Sequence, residues 1–292
     1  MLGSDRIHQY DYWQPAGTAH MDETLDDGTF LVSSTHRVEV LEALAEGPCD
    51  RKDLREVTGA SPPTMGRILS DFADRHWIER EGPTYRLTSL GEFVADRLSS
   101  FLEELSAERR LRDVAPWLPA ELEGFSVDLL TDAVVSYPGP GYPYEPFERN
   151  AQLMEHTDSI RGFGMVMLKS SVLEVFFESV ADGLDVEMIY PPHVLETMLA
   201  WDRETVAESL ELDNHTVYVH EDLPNSEWCG LCLMDDRISI CCYEPETGMI
   251  RSLVDTGSPR AYTWGESIVE RYRADARPID DVDALDAIHS TR

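Results

Sequence analysis

Four of the five cysteines in this 292-residue chain fall within fourteen positions, and they are the residues best suited to do chemistry. Cys229 and Cys232 form a CxxC pair, and Cys241 and Cys242 follow as neighbours. Thiols grouped this way hold zinc or form a reversible disulfide. The residues between them read as a hairpin turning at Asp235-Asp236. Side chains alternate faces along a strand. Cys229 and Cys232 therefore point to opposite faces, and so do Cys241 and Cys242. With a two-residue turn, Cys229 lies across from Cys242 and Cys232 lies diagonal to Cys241. With a three-residue turn the partners exchange. Either way each face receives one cysteine from each strand, so four ligands do not meet at one tetrahedral ion without a bulge. No metal site is expected. The cysteines are then either a redox pair or small buried apolar residues.

A second set has the chemistry of a DNA reader. Ser61, Thr64, Arg67 and Ser70 recur on the polar side of a helical stretch, with Lys52 just upstream. Arginine pairs with guanine edges in the major groove. Arg80 and Arg86 flank a turn at Gly82-Pro83, where they would meet phosphates. A third set, Tyr137, Tyr142, Tyr144 and Phe147, lies in YPGPGYPYEPF. It either walls an effector pocket or forms a rigid loop on a sheet edge. His156, Arg161, Lys169 and His193 sit near element ends and read as surface or capping residues. The chain shows no glycine-rich phosphate loop, nucleophile elbow or paired metal histidines, so neither an enzyme nor a cofactor is expected.

The elements that position these residues are legible. Val38, Leu41 and Leu44 stripe a first helix that ends at Gly47-Pro48. Asp50 can cap a second helix in which Leu54 and Val57 face inward, and Gly59-Ala60 makes the turn. A third helix opens at Ser61 with two prolines in its first turn, and Met65, Ile68, Leu69 and Phe72 form its buried stripe. Two short strands follow around Gly82-Pro83. This order is that of a winged helix-turn-helix. Residues 89–112 continue as a long apolar-striped helix, which either covers the winged unit or pairs with a second copy.

Residues 1–30 carry no period and read as a disordered extension, with Met1 or Met21 as the start. The winged domain spans 31–112, and a linker with Pro116 and Pro119 spans 113–124. An α/β domain spans 125–280, and 281–292 is an acidic tail. Within 125–280, strands are expected at Phe125–Tyr137, Gly162–Leu168, Leu184–Tyr190, His215–His220, Trp228–Met234, Ile238–Tyr243 and Met249–Asp255. Helices are expected at Pro146–Ile160, Ser170–Ala181, Arg260–Ala276 and from Pro192 to Leu210. Alternating strands and helices make this an α/β sheet covered by helices, and the whole chain α+β.

The formal net charge of −32 is extreme, with 56 acidic residues against 24 basic ones, of which only Lys52 and Lys169 are lysine. Acid-rich, lysine-poor surfaces resemble those of proteins from salt-loving archaea. At molar salt the Debye length is about 3 Å, which screens self-repulsion. Residues 34–110 hold 11 Lys or Arg and 15 Asp or Glu, a net of −4, so the other 215 residues carry −28. No apolar run approaches the roughly 20 residues that span a bilayer, and no basic-then-apolar signal opens the chain. No membrane partner is expected, and the expected location is the cytoplasm.

Several passages resemble one family of archaeal transcriptional regulators. They are YEPFERN (144–150), GFGMVMLKSSVLEVF (162–176), GLDVEMIYPPHVLETML (183–199), LMDDRISI (233–240) and RSLVDTGSPRAYTWGESIVERYR (251–273). That family joins a winged helix to a FilR-type domain. The resemblance implies a sensor domain with a mixed sheet that modulates DNA binding. It supplies no ligand. The sheet also looks similar to half of a phospholipase-D-like fold. The His-x-Lys motif of that enzyme family is missing: Thr216 and Val217 follow His215, and Glu221 and Asp222 follow His220. The expected function is a sequence-specific DNA-binding regulator that senses an effector or redox state. Its expected partners are double-stranded DNA, a second copy and an unknown small-molecule effector. The alternative is an interaction adaptor that keeps the winged fold without binding DNA, which the acidic Asp71 and Asp74 favour.

Overall fold

The computed structural model describes residues 18–165, 170–223, 229–244 and 250–279. The chain divides into two compact units, Met1–Leu102 and Glu103–Arg292, and the division falls inside one long helix.

In the first unit α1 (Thr18–Val32), α2 (Thr35–Glu46), α3 (Arg51–Thr58) and α4 (Pro62–Asp74) precede a three-stranded sheet. The sheet pairs β1 (Cys49–Asp50) with β3 (Thr84–Leu87), and β3 with β2 (Ile78–Glu81). Asp50 caps α3 by accepting from the backbone N–H groups of Lys52 at 2.7 Å and Asp53 at 2.9 Å. Gly59 ends α3 in the left-handed region at φ 67° and donates its N–H to the Arg55 carbonyl. The core joins Val40, Leu41, Leu44, Leu54, Met65, Ile68, Leu69 and Phe72 to Trp77, Tyr85 and Leu87.

Val57, expected to face inward on α3, is exposed at 67% because only Leu54 and Thr58 of that helix reach the core. Residues 18–30 were expected to be disordered, yet they lie in α1, while 1–17 are outside the described residues. Long-range contacts hold α1 in place. Phe30 meets the rings of Phe72 and Trp77, and the guanidinium groups of Arg37 and Arg75 lie over its ring. Such partners leave no local period to read.

Helix α5 (Ser89–Leu111) starts where Thr88 accepts the Gly91 N–H at 3.1 Å and donates its hydroxyl to the His76 carbonyl at 2.6 Å. Residues 85–92 thus include a capping junction that seats the helix against the start of β2.

The second unit is built on an eight-stranded mixed sheet of order β11-β7-β6-β5-β8-β9-β10-β4. Here β4 is Val134–Ser136, β5 Ser159–Phe163, β6 Asp185–Tyr190, β7 His215–Val219 and β8 Cys229–Met234. The remaining strands are β9 (Arg237–Tyr243), β10 (Ile250–Thr256) and β11 (Arg277–Ile279). Strands β5, β6 and β7 run parallel, and the other pairings are antiparallel. The parallel strands are connected through α7 (Ser170–Ala181) and through the pair α8 (Pro192–Trp201) and α9 (Arg203–Leu210). With α6 (Glu145–Met154), these helices supply the core on one face, with Leu153, Phe176, Leu195 and Val206 packing near Val186, Met188 and Val217. The other face packs Phe163, Ile189, Leu231, Ile238 and Cys242 with Trp264 and Ile268 of α10 (Pro259–Asp275).

Residues 113–124, expected to be a linker, are part of that second core. Val114, Leu118 and Leu122 are buried, and the Trp264 indole donates to the Glu123 carbonyl at 3.1 Å. Prolines stop regular helix there without stopping burial. Four further boundaries move. The strand expected at Phe125–Tyr137 is a 3-10 turn at Val127–Leu130 followed by β4. The helix expected at Pro146–Ile160 stops at Met154, and the strand expected at Gly162–Leu168 is β5, with 166–169 outside the described residues. The single helix expected to reach Leu210 breaks at Asp202, whose carboxylate caps α9 through the N–H groups of Glu204 and Thr205. The tail at 281–292 lies outside the described residues. No helix among them is long and apolar enough to cross a membrane.

The junction at Gly91 predicts a stability effect. A Cβ there would lie 1.9 Å from the Trp77 carbonyl oxygen. Gly91→Ala should therefore destabilise the winged unit by about 1–3 kcal/mol through overpacking. Gly28→Ala, with nothing within 4 Å of the added carbon, should stabilise by about 0.5–1 kcal/mol. Thermal unfolding of both variants checks the pair.

Candidate nucleic-acid interface and sensor-unit sites

Helix α4 buries Met65, Ile68, Leu69 and Phe72, and this turns the opposite side outward. Arg67 and Ser70 are exposed there, and Thr64 is half-buried. Arg67 has no carboxylate or hydrogen-bond partner among the described residues, so its guanidinium is free to receive a ligand. Ser61 caps α4, accepting the Thr64 N–H at 3.3 Å, and the two hydroxyls meet at 2.9 Å. Ser61 and Thr64 are therefore already engaged with each other. Lys52 is exposed and pairs with Glu56 at 3.5 Å on α3.

The wing separates its two arginines. Arg80 donates to the Gly82 carbonyl at 2.9 Å and lies over the Tyr85 ring, with no carboxylate partner among the described residues. Arg86 pairs with Glu79 at 2.6 Å and Glu81 at 3.4 Å across the ladder. The register sets Glu79 directly opposite Arg86, so pairing follows from strand geometry. The wing therefore carries acidic charge beside its cations, a feature the arginine positions alone did not reveal.

In the second unit the hairpin takes the two-residue turn. Cys229 lies opposite Cys242, Gly230 opposite Cys241, and Cys232 opposite Ser239. The side chain of Cys229 is outside the described residues. Cys232 and Cys241 belong to one core face and Cys242 to the other. Cys232, Cys241 and Cys242 are free thiols. Burial pushes Cys232 up to about 12 and Cys242 up to about 11, and it raises Cys241 as well. Among the described residues no group of three or more His, Cys, Asp or Glu is placed to hold a metal ion.

The four aromatics of the proline-rich loop do not form one wall. Tyr137 packs on the α10 face and donates its hydroxyl to the Arg110 carbonyl at 2.7 Å, whereas Phe147 packs on the opposite face. Tyr142 and Tyr144 are exposed, and the Tyr142 hydroxyl donates to Glu148. A tight bridge between Gly139 and Tyr142 reverses the chain and divides the set. Arg161 pairs with Glu266 and Glu270, and His156 bonds the Gln152 carbonyl. His193 is exposed, and Lys169 lies outside the described residues.

Two features of this unit have no signal in the sequence. Asp255 is fully buried and held by Arg149 through two bonds of 2.8 Å and by Arg237 at 2.5 Å. This clamp joins α6, β9 and β10. The second is a narrow apolar cavity of about 60 Å³ between the sheet and α6, α7 and α8, which Cys232 and Cys241 help to line.

The raised thiol values predict slow chemistry. With Cys232 up at about 12, its thiolate fraction at pH 7 is on the order of 10⁻⁵. Alkylation of Cys232 and Cys242 in the folded protein should rise about tenfold per pH unit from pH 7 to 10. Mass-spectrometric labelling that levels off near pH 8.5, as an ordinary thiol would, contradicts the burial described.

Residues 25–110 match the HVO_A0261 N-terminal domain family, and residues 143–275 match the middle domain of the methanogenesis regulatory protein FilR1. No curated protein matches the chain. Among solved structures, TrmBL2, described as an archaeal chromatin protein with a novel mode of DNA binding, shares 13% identity. That alignment covers 89% of this chain and 99% of the other at a TM-score of 0.39. Nuc, a phospholipase D family member from Salmonella typhimurium, shares 12% identity over 50% of this chain and 97% of its own, at a TM-score of 0.36. NucT from Helicobacter pylori shares 12% identity over 50% and 98%, at 0.38. At such TM-scores none of these likenesses bears on activity. The two domain matches follow one another along the chain, and the chain belongs to the archaeal regulators that join an HVO_A0261-type N-terminal domain to a FilR1-type domain.

Proposed function

We propose that the winged unit reads a specific DNA site and that the FilR1-type unit binds an effector that modulates this reading. The observation that carries the proposal is Arg67. It stands exposed on the outer side of α4, with no carboxylate partner among the described residues, while Arg75 and Arg86 of the same unit are paired. An unpaired guanidinium on a groove-sized helix suits bidentate contact with guanine. Thr64 and Ser70 flank it as further base readers, and Ser61 and Lys52 sit at the entry to the helix. Arg80 would meet phosphate as it stands, whereas Arg86 must exchange its glutamates to do so.

The working form is a homodimer. Leu90, Phe93, Phe101 and Leu105 of α5 are exposed at 59%, 63%, 51% and 42%, an apolar surface that water disfavours. A second copy matches the two-fold half-sites that such readers use.

The sensor reading favours a bound ligand over thiol oxidation. Burial of Cys241 and Cys242, and partial burial of Cys232, raise these thiols above the usual range, and a protonated thiol is a poor nucleophile.

The test is a gel shift in molar potassium chloride on genomic fragments. The wild-type chain should select a site, and Arg67→Ala should lose about 1–3 kcal/mol on it. Glu79→Gln with Glu81→Gln should free Arg86 and tighten binding on all sequences alike. A wild-type chain that shifts no fragment supports the adaptor reading, which the carboxylates of Asp71, Asp74, Glu79 and Glu81 on this surface favour.

A further inference from the structure

Six of the fourteen residues lining the cavity under α6, α7 and α8 carry sulfur: Met154, Met188, Met198, Met234, Cys232 and Cys241. The whole chain has 10 methionines and 5 cysteines in 292 residues, so fourteen residues taken at random would hold fewer than one. These six come from α6, β6, α8, β8 and β9 and meet only in the fold. Among the described residues the lining includes no carboxylate, histidine, lysine or arginine.

Size decides what this space can take. Sites for metabolite-sized molecules run to roughly 300–1,000 Å³. The cavity holds about 60 Å³, about a fifth of the lower end of that range. An organic effector does not fit without rebuilding the core, whereas a single ion does. Chemistry then selects among ions. Hard cations need oxygen ligands, and zinc takes histidine and several thiolates. Thiols with thioethers select cuprous copper.

We propose that this cavity binds one Cu(I) ion through one thiolate, from Cys232 or Cys241, together with methionine thioethers. The two cysteines face the same side of the hairpin and are diagonal neighbours, because Cys232 lies opposite Ser239 and Cys241 opposite Gly230. Diagonal neighbours on adjacent strands lie roughly 7–8 Å apart, so one of the two thiols is the ligand and long side chains complete the set. Met side chains have three rotatable bonds, which lets their sulfurs move in without a backbone shift. The Met154 sulfur already accepts a weak bond from the Asn150 amide at 3.7 Å.

The reaction is a substitution with no change of oxidation state. The thiol S–H bond breaks, a Cu–S bond forms, and one proton leaves to solvent. One thiolate and one Cu⁺ make a neutral group, so no net charge enters the apolar core. A second thiolate would leave a net negative charge there, so the other thiol stays protonated. As the effector site of a regulator, this assignment rests on the function proposed above. The binding itself is measured without DNA, so a failed DNA assay and a failed metal assay are separate results.

The experiment titrates the full-length protein anaerobically with Cu(I) against a colorimetric Cu(I) chelator, while following proton release. The wild-type chain should bind one ion and release one proton at this site, and X-ray absorption should show a shell of sulfur only. Cys232→Ala with Cys241→Ala should lose that ion. Met188→Leu with Met198→Leu, which conserves volume and keeps both thiols, should weaken binding roughly tenfold or more. Cys49→Ala should bind as the wild type does. Circular dichroism confirms folding, and if the double alanine variant unfolds, the leucine variant decides. The proposal is overturned if the wild type binds no ion, if nitrogen or oxygen ligands appear, or if either double variant, folded, binds as tightly as the wild type.

Discussion

Cations are the scarce resource of this chain, and ion pairing decides where they stand. The chain has 24 basic residues against 56 acidic ones, and eleven of its arginines sit beside a carboxylate among the described residues. Arg75 pairs with Asp27, Arg112 with Glu108, Arg161 with Glu266 and Glu270, Arg260 with Asp128, Arg271 with Glu123 and Arg273 with Glu187. Exposed pairs of this kind contribute little each, roughly 0–1 kcal/mol. The Asp255 clamp differs because its carboxylate is fully buried, and two arginines satisfy both of its oxygens. Removing one partner of such a pair leaves a buried charge uncompensated, at a cost of about 3–5 kcal/mol. Among the described residues Arg37, Arg51, Arg55, Arg67, Arg80, Arg109, Arg110 and Arg277 pair with no carboxylate; of these, Arg67 lies on the outer side of α4 and Arg80 on the wing.

Much of the winged unit was legible because its signals are local. Asp50 and Ser61 cap within three residues of themselves, Gly59 takes the left-handed turn, and Gly82-Pro83 reverses the wing. The cysteine faces were legible too, since a two-residue turn at Asp235-Asp236 fixes the register from Cys229 to Cys242. What escaped depends on long-range partners. Helix α1 is held by Phe72, Trp77 and Arg75, more than forty positions downstream of Phe30. The stretch at 113–124 looked like a connector because prolines interrupt it, but its leucines fill the α10 face. Tyr137 and Phe147 share a loop yet belong to opposite faces, since the reversal at Gly139 and Tyr142 separates them.

The second unit places its chemistry between layers. Arg149 and Asp255 are 106 positions apart, and the sulfurs of the cavity come from five elements. No spacing rule finds such groups. Burial raises the thiols and withholds them from ordinary nucleophilic chemistry, and the same burial suits a ligand that replaces the proton.

The central claim is that a strongly acidic chain reads DNA through a few unpaired arginines and a fitted helix, with little help from bulk charge. The salt dependence of operator binding tests this most directly. Each phosphate neutralised contributes roughly −0.9 to the slope of log affinity against log salt. With Arg80 as the phosphate contact of each wing, a dimer should show a shallow slope of about −2 and keep its site in molar potassium chloride. A slope as steep as about −6 to −10, with binding gone at molar salt, would show that bulk electrostatics carries the complex and would contradict the account.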